Sequence, residues 1–232
     1  MKSITANFDK INWSRLFHAY GIAKDTPEHM HNLCSHDFNL REKAIDHLFS
    51  AIVHQGTIYS VTPVVVRILI GLPKDPALHE DMYEFYYTKT KLIYEQTVVK
   101  LNSPDITPIR KKGLLYLLEA LKKQLGVKKT TTVMEMILSF LCYVGESLLH
   151  SEKPENHGSI SSLDVDNLFD NYDDDFWISP LLETLTKQAI IELYTMAPAV
   201  LEAVSCFITD ENQDIRLEAV AAAENWDKVM KT

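Results

Sequence analysis

Glycine and proline, the residues that punctuate short strands and tight turns, are both scarce here: 7 and 9 among 232 residues. With long apolar segments between them, that scarcity argues against a sandwich or barrel of short strands and for helices. Cysteine is scarcer still. Cys34, Cys142 and Cys206 are odd in number and widely spaced, each in an apolar helical context, so each is expected to act as a small buried hydrophobe in a reducing compartment rather than in a disulfide framework. The opening segment, MKSITANFDKINW, lacks the apolar core of a signal peptide. The most apolar windows are interrupted by Arg67 in VTPVVVRILIGL and by Glu135 and Glu146 in VMEMILSFLCYVGESLL, so a cytoplasmic protein without a membrane partner is expected. No GxSxG, HExxH, phosphate-cradling glycine loop or Cys-His-Asn set occurs, which leaves no catalytic residue to name. The expectation is a non-enzyme without a cofactor.

Clustered positive charge is also missing from the totals. Net charge is −9, and residues 151–179 alone hold eight acids against one base, a local charge of −7. The remainder, 24 acids against 22 bases, is close to neutral. Nucleic-acid binding needs Lys and Arg to displace counterions from phosphates, so a nucleic-acid partner is not expected, whereas a basic protein matches the acidic stretch. Within it Asp164, Asp166, Asp170, Asp173, Asp174 and Asp175 are interleaved with aromatic residues that include Tyr172 and Trp177. Aromatic anchors flanked by carboxylates are what a surface for a basic protein requires. A calcium loop is excluded, because counting from Asp164 the sixth and twelfth places hold Phe169 and Asp175 rather than glycine and glutamate. Residues 151–178 are therefore read as an acidic loop or excursion between helices.

What the chain does contain is a repeated phrase. SHDFNLREKAIDHL, residues 35–48, and DENQDIRLEAVAAA, residues 210–223, lie 175 positions apart. They align Ser35 with Asp210, Asp37 with Asn212, Leu40-Arg41 with Ile215-Arg216, and Ala44 with Ala219. Ile109-Arg110 makes a poorer third copy, with Gly113 in place of the alanine. In such a unit the polar residue caps the second helix, the arginine reaches a carboxylate or carbonyl of a neighbouring repeat, and the alanine permits close helix approach. These are structural roles.

Around the repeated phrase the pattern reads as paired helices. Thr26 as N-cap and Pro27 at the first helical position suit a helix start carrying Met30 and Leu33 inward. Asp37 or Asn39 caps the next helix, with Leu40, Ala44, Ile45, Leu48 and Ile52 on one face. Gly56 is expected to end that helix, with His54 and Gln55 bonding its last carbonyls, and Thr57 or Ser60 to cap a helix whose stripe is Val64, Val65, Ile68, Leu69 and Leu72. Further helices are expected over 78–100, from about Thr107, over Thr132–Leu149, over Leu181–Met196 with a partner from Pro198 to Ile208, and over Asp214–Met230.

The residues Ser35, Asp37, Leu40, Arg41 and Ala44, with their counterparts, resemble a HEAT repeat. That resemblance implies an all-α protein, a right-handed α-α superhelix of stacked helix pairs forming one domain over 1–232 with an extended concave binding surface. WSRLFHAYGIAKDTPEHMHNL, REKAIDHL and HQGTIYSVTPVVVRIL are similar to bacterial HEAT-like proteins that often resemble immunity proteins of polymorphic-toxin systems. The similarity implies a protein that binds and neutralises a cognate toxin domain, with a scaffold or regulatory adaptor as the alternative. Deoxyhypusine hydroxylases, which hold a di-iron centre on several His-Glu dipeptides, are matched at only one such pair, His79-Glu80. HEAT-like DNA glycosylases need a basic groove. Nine histidines invite a metal hypothesis, but His29 and His31 at i and i+2 point to nearly opposite sides of a helix, and His47 and His54 are two turns apart. No metal ligand is assigned.

Overall fold

The computed structural model describes residues 10–72, 81–82, 85–103, 106–125, 131–151 and 180–232, which form two compact units, Met1–Glu80 with Val133–Thr232, and Asp81–Thr132. The described part is mostly helical, with three two-residue antiparallel pairs. The first unit contains β1 (Phe17–His18), β2 (Gly21–Ile22), α1 (Thr26–Asn32), α2 (Phe38–His47), β3 (Val53–His54), β4 (Thr57–Ile58) and α3 (Thr62–Leu69). After the second unit it continues with α6 (Val133–His150), α7 (Pro180–Ser205) and α8 (Gln213–Lys231). The second unit holds β5 (Asp81–Met82), α4 (Phe85–Leu101), α5 (Pro108–Leu125) and β6 (Thr131–Thr132); β5 pairs with β6, and α4 packs on α5 as a helical hairpin.

Helix α6 is the hub of the first unit because nearly every turn of it is apolar. It has the length and composition of a membrane span, yet most of it is buried against protein, chiefly α8. The two helices approach closely at Gly145, where an added Cβ would lie 3.2 Å from both Asn225 Cβ and Trp226 Nε1. Glycine there lets the fully buried indole of Trp226 lie against α6 and donate to the Leu141 carbonyl at 2.8 Å. Asn225 Nδ2 donates alongside to the Cys142 carbonyl at 3.2 Å. Phe17 of β1 packs with Leu185 of α7, and Gly56 N–H donates to the Tyr143 hydroxyl at 2.8 Å, tying the β3–β4 turn to α6.

Five local expectations change. The turn at Gly56 closes a β-hairpin, not a helix: Val53 pairs with Ile58 and His54 with Thr57. Gln55 and Gly56 take φ of 51° and 79°, the two left-handed positions of a tight hairpin turn. Neither Thr57 nor Ser60 caps α3; the Ser60 hydroxyl instead accepts from Phe17 N–H at 2.8 Å. Of the expected stripe Val65 and Leu69 are buried on α3 and Leu72 just beyond it, whereas Val64 and Ile68 are only half-buried and Val66 is buried instead. The break expected at Pro198 does not occur, because α7 runs through it; Leu193, Ala197, Val200 and Val204 keep one buried face while Pro198 lies on the exposed side. Of the cysteines expected to be buried, Cys34 and Cys142 are half-buried and Cys206 is exposed just past the end of α7.

Candidate functional site

The repeated phrase folds twice into the same turn, bond for bond. Between α1 and α2, Ser35 N–H donates to Asn32 O at 3.2 Å; between α7 and α8, Asp210 N–H donates to Phe207 O at 3.1 Å. Asp37 N–H donates to Ser35 Oγ at 3.1 Å and Asn212 N–H to Asp210 Oδ1 at 2.8 Å. The caps follow: Asp37 Oδ1 accepts from Asn39 N–H at 2.8 Å, and Asn212 Oδ1 from Asp214 N–H at 2.9 Å. Arg41 Nη1 donates to Ser35 O at 2.5 Å, and Arg216 Nη1 donates to Asp210 O and to Glu211 O, the latter at 2.9 Å.

Both arginines therefore latch the turn of their own hairpin. The carbonyls they reach lie in that same turn, six residues upstream at Ser35 and Asp210 and five upstream at Glu211, where helix-end groups lack an intrahelical partner. Ala44 and Ala219 are both fully buried, as a close helix contact demands. The copies diverge one residue later, since Ile45 is buried and Val220 exposed. The third phrase behaves differently: Arg110 is exposed in the first turn of α5, and Ile109 is 87% exposed.

A second constellation was not legible as a motif. His18 on β1, Asp25 before α1, His29 on α1 and His47 at the end of α2 converge where α2 widens into a π turn over Leu48–Ile52. His18 Nε2 lies 2.8 Å from Asp25 Oδ1, and Thr26 Oγ1 lies 3.0 Å from His47 Nε2, so Thr26 anchors a histidine instead of capping its helix. The His29 and His47 rings stack with centroids 4.1 Å apart, and His18 meets His47 edge-on at 5.4 Å. His29 Nδ1 is buried with no hydrogen-bond partner among the described residues. Burial, reinforced by the charge of His29 and, less strongly, of His18, pushes the His47 pKa down to about 3 against the pull of Asp25. Burial pushes the Asp25 carboxyl up, but the His18 hydrogen bond and charge more than offset it and hold the carboxyl below its ordinary range.

Ligand-type atoms of His18, Asp25 and His47 lie within 4.8 Å of one another, a grouping that could hold a metal ion. The hydrogen bonds speak for a different role. His18 Nδ1 accepts from Tyr20 N–H at 3.0 Å, which places the ring proton on Nε2, where it is donated to Asp25. A metal on Nε2 would leave that ring with no proton at all, so these residues fit a hydrogen-bonded cluster better than a ligand set. His54 Nδ1 lies 3.0 Å from Ser50 O, as expected for a histidine bonding a helix-end carbonyl.

An open cleft of about 410 Å³ is lined by Phe49, Ser139, Cys142, Tyr143 and Glu146. Burial, with the carboxylates of Glu218 and Glu146, pushes the Cys142 thiol up, which keeps it protonated and a poor nucleophile. The acidic positions Asp164, Asp166, Asp170, Tyr172, Asp173, Asp174, Asp175 and Trp177 lie outside the described residues. Compared with known protein families, curated proteins and solved structures, the chain matches none of them.

Proposed function

We propose that this chain is a non-enzymatic, cytoplasmic binding protein, a HEAT-type superhelix that acts as an immunity protein and neutralises a bacterial toxin domain. The observation that carries the reading is the pair of hairpins, α1–α2 and α7–α8, whose turns repeat the same hydrogen bonds at an offset of 175 residues. Units of this kind bury their apolar faces by stacking, and stacking creates an extended surface for a macromolecular partner rather than an enclosed pocket. The −7 charge of residues 151–179 gives that partner its sign. Toxic nucleases are commonly basic, and an acidic surface with Tyr172 and Trp177 as anchors would compete with their nucleic-acid substrate.

Co-expression with the toxin domain encoded beside this gene tests the reading. Growth is restored and the two proteins co-purify if it is right. Changing Asp173, Asp174 and Asp175 to Asn then weakens the complex and flattens its salt dependence. Unchanged affinity in that variant removes the acidic stretch from the mechanism, and absence of any complex with the neighbouring gene product overturns the immunity function.

A further inference from the structure

Helix α5 is apolar well beyond its packed side, with Leu115 50% and Leu117 42% exposed between a buried face and an opposite exposed one. Leu118 and Leu121 lie on the buried face. On the other, Ile109 is 87% exposed and Tyr116 65% exposed, with Gly113 and Ala120 also exposed. Intervals of 4, 3 and 4 residues place Ile109, Gly113, Tyr116 and Ala120 in one line along the helix, the spacing of a seam that receives a second helix. Gly113 sharpens the point. A glycine weakens a helix interior, and here a Cβ would meet nothing within 4 Å, so packing among the described residues gives no reason for it. A docked helix does, because a residue without a side chain at the middle of a seam lets two backbones approach closely.

We propose that this face of α5 docks an acidic amphipathic helix of a partner protein. Charge selects that occupant. The segment Asp81–Thr132 holds ten bases against five acids, a net +5 inside a chain of net −9, and α5 alone holds five bases against one acid. Arg110 and Lys112, both exposed, flank the seam on its two sides, where glutamates at the edges of an incoming helix would pair with them. The same lysines and arginines repel the α5 of a second copy. An anionic lipid surface is a poorer match, since Gly113 forfeits both helix propensity and apolar area at the centre of the face. Nucleic acid gains nothing from Ile109 at that centre. The surface goes beyond the toxin reading and does not depend on it.

The experiment uses the full chain and a labelled synthetic helix of three heptads, with leucine and isoleucine along its seam and glutamate on both edges; a lysine-edged version is the control. Fluorescence anisotropy is expected to show saturable binding of the glutamate peptide alone. Arg110→Glu with Lys112→Glu, and separately Tyr116→Asp, are expected to weaken it tenfold or more while circular dichroism stays helical. Gly113→Ala gives a readout that a purely structural glycine would not: the melting temperature rises while peptide affinity falls. Equal binding of the lysine peptide, or no binding of either, overturns the proposal. So does a dimer, detected by light scattering, that Tyr116→Asp abolishes. Binding to vesicles containing anionic phosphatidylglycerol, or to duplex DNA, that the same variants remove equally overturns it in favour of those occupants.

Discussion

Replacing Gly145 with alanine sets two effects of similar size against each other. An alanine inside a helix gains about 1 kcal/mol over glycine from backbone entropy. At Gly145 the new Cβ lies 3.2 Å from Asn225 Cβ and 3.2 and 3.3 Å from Nε1 and Cδ1 of Trp226, inside ordinary contact distance. Neither neighbour has room to retreat, because the indole donates to Leu141 O at 2.8 Å from a fully buried position and the Asn225 amide donates to Cys142 O. Overpacking of this kind costs about 1 to 3 kcal/mol, so the net change is a loss of up to about 2 kcal/mol. Gly113→Ala is the matched control: nothing lies within 4 Å of its Cβ, so the gain of about 1 kcal/mol stands alone. Urea denaturation read by tryptophan fluorescence isolates the first unit, since Trp13, Trp177 and Trp226 all fall outside Asp81–Thr132; far-UV circular dichroism follows both. A Gly145→Ala protein stabilised by the same roughly 1 kcal/mol as Gly113→Ala refutes the claim that α8 is held against α6 by this contact.

Three other outcomes follow from the same geometry. The His47 pKa is lowered from its ordinary 6.5 to about 3, so between those values the unfolded chain binds the extra proton and stability falls as pH drops, by up to about 1.4 kcal/mol per unit; urea midpoints at pH 7, 5.5 and 4.5 measure it, and His47→Asn flattens the slope. Asp25, whose pKa is also lowered, adds a loss of the same sign once pH passes below its ordinary 3.8. A thiol reagent such as dithiobis(nitrobenzoate) modifies the exposed Cys206 first and Cys142 only slowly, read by mass spectrometry of the partly labelled chain. Ala219→Asp buries an unpaired carboxylate at a fully buried helix contact and destabilises on the order of 3 kcal/mol or more, measured as a lowered denaturation midpoint.

The parts of this fold that depend on short-range chemistry were readable in the sequence. Residue type and place narrowed the cap to Asp37 or Asn39, of which Asp37 serves; the alanines were readable from their spacing to the arginine, and α6 from its apolar run. Pro198 misled because its ring faces outward while Leu193, Ala197, Val200 and Val204 hold a continuous buried stripe, and tertiary burial outweighs one missing hydrogen bond. Gly56 was read as a helix end because the flanking segments lack the alternation of strands; its hairpin is only two residue pairs long. The histidine cluster carries no linear signal, since His18, Asp25 and His47 meet only after the β1–β2 turn and the α1–α2 hairpin form. The positive charge of Asp81–Thr132 was present in the sequence but averaged away, because the acids of its flanking segments cancel it in any count that ignores the boundary between units.

The reading as a binding protein stands on α1–α2 and α7–α8 being two castings of one unit, and the arginine latches test that most directly. Arg41→Met removes a charge-assisted bond to one turn carbonyl and Arg216→Met removes a bond that one nitrogen shares between two, each a loss of roughly 1.5 to 3 kcal/mol. Denaturation of the two variants side by side is predicted to give losses within about 1 kcal/mol of each other. A large loss at one position with none at the other would contradict the account, because the two arginines would then serve different structures.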